Sequence, residues 1–338
     1  MPAFGDEWKN TSATFTLGVA VTCDTEHLTF DQSVFCQVSI VRCHMSIVMI
    51  GIFDSGFGGL TIFKHIARTL PAYDFLYLGD NARAPYGNRS QETIYQFTVE
   101  AVDWLFKQGC TLVVLACNTA SSEALRKLQQ EWLPRYETKS RGRDLVSTRR
   151  VLGVIRPVVE EAIKTTQGKI GVVGTRATIS SHAYERELRK LYTIETKSRG
   201  RDLVSKDFVV IEHACPLLVP LIEEGWAGKP ETKRILRGYL RPLQQKVDTL
   251  ILGCTHYPIL LDEFVRKMGK RCRVLDPGPI VAASLKDYLA RHPEIDQELY
   301  KNKKVRFATT DLPQRFNELG SLFFGKSIKA ERVEFSSE

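Results

Sequence analysis

Long apolar runs are missing from this chain of 338 residues. No segment reaches the roughly 18 uninterrupted apolar residues of a membrane span, and the first residues lack the basic stretch and apolar core of a signal peptide. We therefore expect a protein that is neither membrane-spanning nor exported. With 43% hydrophobic and 25% charged residues, the chain has the composition of a globular protein with room for two domains.

Paired cysteines are also missing, since no Cys-x-x-Cys motif occurs. This excludes the disulfide framework of small secreted domains. We interpret the cysteines as reduced thiols in the cytoplasm, each a small buried hydrophobic residue or a reactive group. A metal site at Cys36, Cys43 and His44 is not expected, because structural zinc sites show tighter paired spacing. The eight cysteines are Cys23, Cys36, Cys43, Cys110, Cys117, Cys215, Cys254 and Cys272.

A clustered basic stripe is the third missing feature, although the net charge is +8 and the pI about 9.0. The acidic side chains outnumber the basic ones within residues 1–44, so the rest of the chain carries the positive charge. Its Lys and Arg are spread along helical patterns, which indicates a solvated surface rather than a nucleic-acid footprint. A basic body would favour a small acidic substrate.

From Ile47 onward, short apolar runs alternate with longer amphipathic stretches, which is typical of an α/β architecture with parallel sheets. Each run is nearly continuous and is followed by turn residues, as expected for a buried strand. The predicted strands are SIVMIGIF, DFLYLGD, TLVVLACN, VLGVI, KIGVVGT, FVVIEHA, TLILGCT and CRVLD.

Two strand–helix units resemble each other, CTLVVLACNTASSEAL and VDTLILGCTHYPIL, and each ends its strand with a cysteine and two polar residues. They predict two pseudo-symmetric α/β domains with largely parallel sheets and the active site in the cleft between them. We assign residues 47–149 plus 258–326 to the first domain and 150–257 to the second.

Two other segments stand apart from this alternation. Residues 1–46 form an N-terminal extension of unknown role, either a regulatory element or the product of an upstream start, because Met45 and Met49 also precede the first strand. The sequence ETKSRGRDLVS occurs at 137–147 and again at 195–205. Both copies lie between a predicted helix and a predicted strand, so we interpret them as loop insertions away from the site.

The first strand leads into a glycine-rich turn, DSGFGGL at residues 54–60, which opens a helix. Backbone N–H groups at such a turn bind anions. The turn is not a P-loop, because GxxxxGK[ST] is absent, and Thr61 occupies the place of the third glycine of a dinucleotide fingerprint. A phosphate or nucleotide module is therefore disfavoured, while a carboxylate ligand stays open.

Two polar triplets, Cys117-Asn118-Thr119 and Cys254-Thr255-His256, follow strand ends in matching contexts. One cysteine in such a place is usually a core thiol, but two with adjacent hydroxyl and amide donors indicate function. A Pro-Tyr-Gly turn in DNARAPYG, residues 80–87, could present main-chain donors to the same ligand.

As a set, DSGFGGL, DNARAPYG, ACNTAS and GCTHYP resemble the glutamate racemases of the aspartate/glutamate racemase superfamily, over residues 50–324 apart from the two insertions. The resemblance implies interconversion of L- and D-glutamate without a cofactor, D-glutamate for peptidoglycan, and glutamate as the small-molecule partner. It leaves a homodimer open. Family catalytic residues map onto Cys117 and Cys254, and substrate-holding residues map onto Asp54, Ser55, Tyr86, Gly87, Asn118, Thr119, Thr255 and His256.

Inverting a Cα centre without a cofactor requires one group to remove a proton and another to deliver one to the opposite face. Two thiols suit this if they hold opposite protonation states. His256 is a natural partner for Cys254, the resemblance gives Asp54 the comparable role near Cys117, and Glu212 is a further candidate on the Cys254 side. Asn118, Thr119, Thr255 and Ser55 are suited to holding the α-carboxylate while charge develops.

The alternatives differ in substrate or in class. An aspartate or hydantoin-type racemase would use the same fold, whereas a decarboxylase of the superfamily keeps one cysteine. His256 and the DSGFGG turn resemble the glutamate branch more than the aspartate branch. DNA binding would require a basic stripe and a steep dependence on salt.

Overall fold

The computed structural model describes residues 48–140, 149–198 and 208–335. Strands and helices alternate along these ranges, as the apolar pattern predicts. The strands are β1 (Met49–Asp54), β2 (Phe75–Gly79), β3 (Cys110–Leu115), β4 (Arg150–Gly153), β5 (Lys169–Gly174), β6 (Val209–Ala214), β7 (Thr249–Gly253), β8 (Arg273–Leu275), β9 (Val305–Thr309) and β10 (Ala330–Arg332).

Helices connect the strands, and the longest of them present an apolar face to the sheets. The helices are α1 (Leu60–Thr69), α2 (Gln91–Lys107), α3 (Asn118–Glu123), α4 (Leu125–Lys127), α5 (Leu133–Ser140), α6 (Ile155–Thr165), α7 (Arg176–Ser180), α8 (Ala183–Ser198), α9 (Leu218–Glu223), α10 (Pro230–Leu240), α11 (Leu261–Met268), α12 (Pro277–Arg291), α13 (Pro293–Asp296) and α14 (Pro313–Phe324). A π-helical turn, Leu128–Trp132, joins α4 to α5, and 3₁₀ turns cover Asn81–Arg83, Tyr86–Asn88 and Tyr257–Leu260.

The strands form two sheets, and every pair of neighbouring strands is parallel. The first sheet has the order β10-β9-β2-β1-β3-β4, and the second has the order β6-β5-β7-β8. The run β2-β1-β3-β4 and the second sheet therefore share one topology. This confirms the predicted fold class of two similar α/β units with parallel sheets.

All eight predicted strands are present as β1 to β8, whereas β9 and β10 were not predicted. β9 begins with the exposed Val305 and Arg306, so it lacks the continuous apolar run that identified the others. β10 is a three-residue edge strand with a single buried residue. Short and partly solvated strands leave too weak a pattern for periodicity to detect.

The sheets do not divide at the expected boundaries of residues 150 and 258. β4 pairs with β3 in the first sheet, although it was assigned to the second domain. β8 pairs with β7 in the second sheet, although it was assigned to the first domain. The chain passes from one unit to the other after β4 and returns after β8. The sheet to which a strand belongs is decided by the strands with which it pairs, which can be distant in sequence.

The duplicated segment begins in a helix at both copies. Residues 137–140 are the last turn of α5, and residues 195–198 are the last turn of α8. Glu137 also accepts a hydrogen bond from the Arg149 backbone N–H at 3.0 Å. The Glu-Thr-Lys-Ser start extends a helix because it contains no glycine or proline. The rest of each copy and the extension 1–46 lie outside the described residues.

The buried apolar side chains form two clusters, and the larger contains residues of both sheets, such as Ile52 and Val172. The smaller covers the other face of the first sheet under α2. The two units thus share a continuous apolar interior, which fixes the ends of their strands relative to one another. Within the described ranges, no helix combines the length and apolar character that crossing a membrane requires.

Candidate active site

A cavity of about 340 Å³ lies where the carboxyl ends of strands from both sheets meet. Open α/β sheets bind ligands at such edges, where consecutive strands diverge to opposite sides. Cys117 follows β3 and Cys254 follows β7, which are equivalent strands of the two units. The predicted residues that line the cavity are Ser55, Tyr86, Gly87, Cys117, Asn118, Thr119, Cys254, Thr255 and His256.

Cys117 lies at the N-terminus of α3 and is buried, with its side chain in the cavity lining. Its Sγ accepts a hydrogen bond from the Ala120 backbone N–H at 3.4 Å and lies 3.3 Å from Ser55 Oγ. Burial and the nearby charge of Asp54 raise the pKa of Cys117 to about 12, against the smaller opposing effect of these hydrogen bonds. Cys117 is therefore a protonated thiol at neutral pH.

Asp54 ends β1 and lies behind the cavity wall rather than on it. Its carboxylate accepts hydrogen bonds from the Gly56 backbone N–H at 2.9 Å and from the Thr255 hydroxyl at 3.4 Å. Burial raises the pKa of Asp54 above its ordinary value. The residue thus joins the glycine-rich turn of the first unit to the Cys254 segment of the second.

Cys254 is buried beside an imidazole whose second nitrogen is also occupied. His256 Nδ1 lies 3.9 Å from Cys254 Sγ, and His256 Nε2 lies 2.8 Å from Glu223 Oε1. Burial alone would lower the pKa of His256, but the hydrogen bonds to Cys254 and Glu223 outweigh it and raise that pKa to about 10. The imidazole is therefore charged at neutral pH and places a positive charge beside the Cys254 sulfur.

Glu212, the sequence candidate for the Cys254 side, is not among the residues that line the cavity. It lies on β6, where its carboxylate is 2.7 Å from His182 Nδ1 and accepts a hydrogen bond from the Glu185 backbone N–H at 3.3 Å. Within the described part of the chain, His182, Glu185 and Glu212 form the group whose nitrogen and oxygen atoms lie close enough together to hold a metal ion. Glu212 binds His182, directly before α8, and the backbone of Glu185 in the first turn of α8, so its contacts hold the start of this helix against β6.

The turn at Tyr86 and Gly87 is held by a buried carboxylate. Asp80 accepts hydrogen bonds from the Tyr86 hydroxyl, from Arg83 Nε at 2.7 Å and from Thr310 Oγ1 at 2.8 Å. Gly87 lies against the second unit, since a Cβ there would be 2.8 Å from the Cβ of Thr175. Glycine is thus required for the close approach of the two units at the cavity.

Asn118 and Thr119 also bond across to the second unit. Asn118 Nδ2 donates to the Tyr184 hydroxyl at 2.7 Å, and Thr119 Oγ1 lies 3.0 Å from Thr175 Oγ1. Asn118 Oδ1 is buried and has no hydrogen-bond partner among the described residues. One of the two N–H donors of the Asn118 amide is therefore used by Tyr184, and the amide oxygen is available.

Comparison with known proteins agrees with this geometry. The profile of the Asp/Glu/hydantoin racemase family matches residues 50–285. The chain is 40% identical to the glutamate racemase of Persephonella marina over 290 residues, which is 85% of this chain and 97% of the relative. It is also 40% identical to the glutamate racemase of Aquifex aeolicus, over 83% of this chain and 95% of that one.

The chain belongs to the glutamate racemase family. Its activity is that of an amino-acid racemase, an isomerase, as the four motifs predict. Solved structures of the family superpose on it. A glutamate racemase isoform from Bacillus anthracis has 33% identity and a TM-score of 0.72, over 86% of this chain and 98% of that one. The Francisella tularensis glutamate racemase in complex with D-glutamate has 30% identity and a TM-score of 0.71, over 87% and 100%.

Sequence reasoning missed Glu223 and Tyr184 in this family member. Glu223 is the last residue of α9, and Glu224 follows it, so the sequence did not distinguish a site residue from a solvated acid at a helix end. One signal was available: α9 follows β6 and has only six residues, so even its last residue stays near the edge of the sheet where ligands bind. Tyr184 gave no signal, since a buried tyrosine in a helix is ordinarily part of the core.

Proposed function

We propose that the chain interconverts L- and D-glutamate without a cofactor, by proton transfer at Cα between Cys117 and Cys254. The observation that carries the proposal is the placement of these two thiols. Each follows the equivalent strand of one of two similar units, and both line one cavity. A substrate held between them would present opposite faces of its Cα to the two sulfur atoms.

The surroundings of the two sulfur atoms support opposite protonation states. Burial and Asp54 keep Cys117 as a thiol, and the proposed mechanism assigns the thiolate to Cys254, beside the positive charge of His256. The thiolate removes the Cα proton from one face, and the thiol delivers its S–H proton to the other face. The product leaves the two cysteines with exchanged protonation states, from which the reverse reaction starts.

The electron pair left on Cα after proton removal is delocalised into the α-carboxylate, which needs fixed donors. The hydroxyls of Ser55, Thr119 and Thr255 line the cavity and can supply them. Charged residues of both signs also line it, namely Arg176, Arg315, Glu223 and Asp311. No lysine is among the described residues that line the cavity, which supports chemistry carried by the chain's own thiols.

Glutamate is proposed as the substrate because the relatives that match most of the chain bear the name glutamate racemase. The Francisella tularensis protein is solved with D-glutamate bound, and its chain is covered throughout by the superposition. Aspartate is the competing substrate, since an aspartate racemase would use the same pair of thiols.

The cellular role extends the same proposal. D-glutamate made by a bacterial cytoplasmic enzyme would supply peptidoglycan synthesis, and with it cell wall biogenesis and cell shape. The five cysteines of the described residues are free thiols, which agrees with a reducing compartment. Expression of the chain in a bacterium that requires D-glutamate should remove the requirement, and persistence of the requirement with active protein present would contradict this role.

The mechanism is tested by following the circular dichroism of purified protein with L-glutamate and then with D-glutamate, without added cofactor. We expect the signal to decay from both enantiomers, and Cys117→Ser and Cys254→Ser each to abolish the decay. Cys272→Ser is the matched control, because Cys272 is a buried free thiol outside the cavity. Retained racemisation in either of the first two variants would refute the two-thiol mechanism, and turnover of aspartate in place of glutamate would change the substrate.

A further inference from the structure

Tyr184 lies between the two cysteine segments. Its side chain is fully buried, and its hydroxyl accepts a hydrogen bond from Asn118 Nδ2 at 2.7 Å. Asn118 directly follows Cys117. On the other side, a Cβ at Gly253 would be 3.1 Å from Cε2 of the Tyr184 ring, and Gly253 directly precedes Cys254. One side chain of α8 thus contacts the residues adjacent to both thiols.

The hydrogen bond from Asn118 to Tyr184 fixes the two ends of the Asn118 amide. With Nδ2 directed to Tyr184 through one of its two N–H donors, Oδ1 faces away from the tyrosine and is buried without a partner among the described residues. Asn118 itself lines the cavity. A buried acceptor without a donor destabilises the protein unless a ligand supplies that donor.

The chemistry of an acidic amino acid decides what can pair with this oxygen. Both carboxylates of glutamate are acceptors, and the α-ammonium group supplies its N–H donors. We infer that Tyr184 is a positioning residue, which orients the Asn118 amide so that Oδ1 accepts a hydrogen bond from the α-ammonium group of the substrate. This inference rests on the proposed function and adds to it the group that recognises the amino nitrogen.

The assignment has a catalytic consequence. A protonated α-amino group withdraws electron density from Cα and so makes the Cα proton easier to remove. An amide oxygen directed at that group favours its charged form. Tyr184 would act through Asn118, without contact to the reacting atoms.

The test compares wild type and Tyr184→Phe, which keeps the ring against Gly253 and removes the hydroxyl. We expect the KM for both glutamate enantiomers to rise about tenfold, the size of one hydrogen bond to a charged group. Glutarate, the same dicarboxylate without the amino group, is the probe for packing effects. Its inhibition constant should be unchanged, whereas general loosening of the site would weaken glutarate and glutamate alike and would overturn the inference.

A second variant, Asn118→Asp, tests the inference without relying on the binding of glutarate. Both side-chain oxygens of Asn118→Asp accept hydrogen bonds, so the ammonium partner no longer depends on orientation by Tyr184. In this background, Tyr184→Phe should leave KM unchanged, and an undiminished tenfold rise would contradict the inference. Tyr73→Phe, which removes a hydroxyl bonded to Asp296 away from the cavity, controls for loss of a tyrosine hydrogen bond. An inactive wild type would instead refute the proposed function.

Discussion

Glu223 Oε1 lies 2.8 Å from His256 Nε2, on the side of the imidazole opposite Cys254. The carboxylate is contributed by α9 and the imidazole by the segment after β7, so the contact is formed by tertiary packing. It places the positive charge of His256 between a carboxylate and a sulfur atom. Three of the predictions that follow depend on the charges around the two cysteines.

Glu223→Gln should move the alkaline limb of the pH profile of kcat/KM to lower pH. Loss of the carboxylate removes one of the groups that raise the pKa of His256 to about 10, and an opposite charge at this range accounts for about one pH unit or more. A neutral His256 no longer offsets the Cys254 thiolate and the carboxylates of the substrate. The measurement is the initial rate of racemisation across the alkaline range.

Glu212→Gln decides between the two carboxylates. Glu212 bonds to His182 and the first turn of α8, so we expect its variant to leave the alkaline limb in place. A shift in Glu212→Gln together with an unchanged Glu223→Gln would favour the interpretation made from sequence. Thermal unfolding of both proteins separates an electrostatic effect from loss of structure.

His256 should stabilise the fold in a pH-dependent manner. Its pKa is raised from 6.5 to about 10, so its contribution to the free energy of unfolding is complete below pH 6.5 and is lost as the pH rises toward 10. The stability difference between wild type and His256→Gln should therefore shrink across this window. Urea unfolding at both ends of the window measures it, and a difference that grew with pH would show that the imidazole is neutral in the folded protein.

Gly58→Ala should reduce kcat/KM by about 100-fold, because a displacement of about 1 Å at a catalytic group has an effect of this size. An added Cβ would lie 2.1 Å from Thr255 Oγ1 and 2.5 Å from His256 Nδ1, so both side chains must move. Gly238→Ala is the matched control, since that glycine is exposed on α10 with nothing within 4 Å of the added atom. The control should unfold at an equal or higher temperature and keep full activity.

Ser55→Ala should lower kcat by about tenfold or more, the effect expected when a hydrogen bond to a charged sulfur is lost. Ser55 Oγ lies 3.3 Å from Cys117 Sγ, and this contact lowers a pKa that burial and Asp54 raise to about 12. Without this contact the thiolate of Cys117, which the reaction requires in one direction, forms less readily. Ser122→Ala, whose hydroxyl bonds to the Thr119 carbonyl on α3, should have no such effect. Equal losses in the two variants would indicate a general effect on α3.

Local sequence was sufficient for eight of the ten described strands and for the position of the two thiols. The continuous apolar runs located β1 to β8, and two strand ends that resemble each other located Cys117 and Cys254. Sequence was not sufficient where a partner from elsewhere in the chain decides the outcome. β4 and β8 pair with strands of the other unit from the one to which their residue ranges were assigned, because strand pairing depends on contacts distant in sequence. Glu223 and Tyr184 gain their roles from His256 and Asn118, which are distant from them in sequence.

The two units share one strand order, and the reaction proposed for them interconverts two substrates that are mirror images. Two enantiomers have equal free energies in water, so their equilibrium ratio is unity and kcat/KM must be the same in both directions. A substitution on either unit must therefore change both directional values of kcat/KM by one common factor. The differences between the two thiols' neighbours can appear only as kcat and KM values that differ between the two directions by the same factor. Each unit can therefore diverge from its counterpart without favouring one enantiomer at equilibrium.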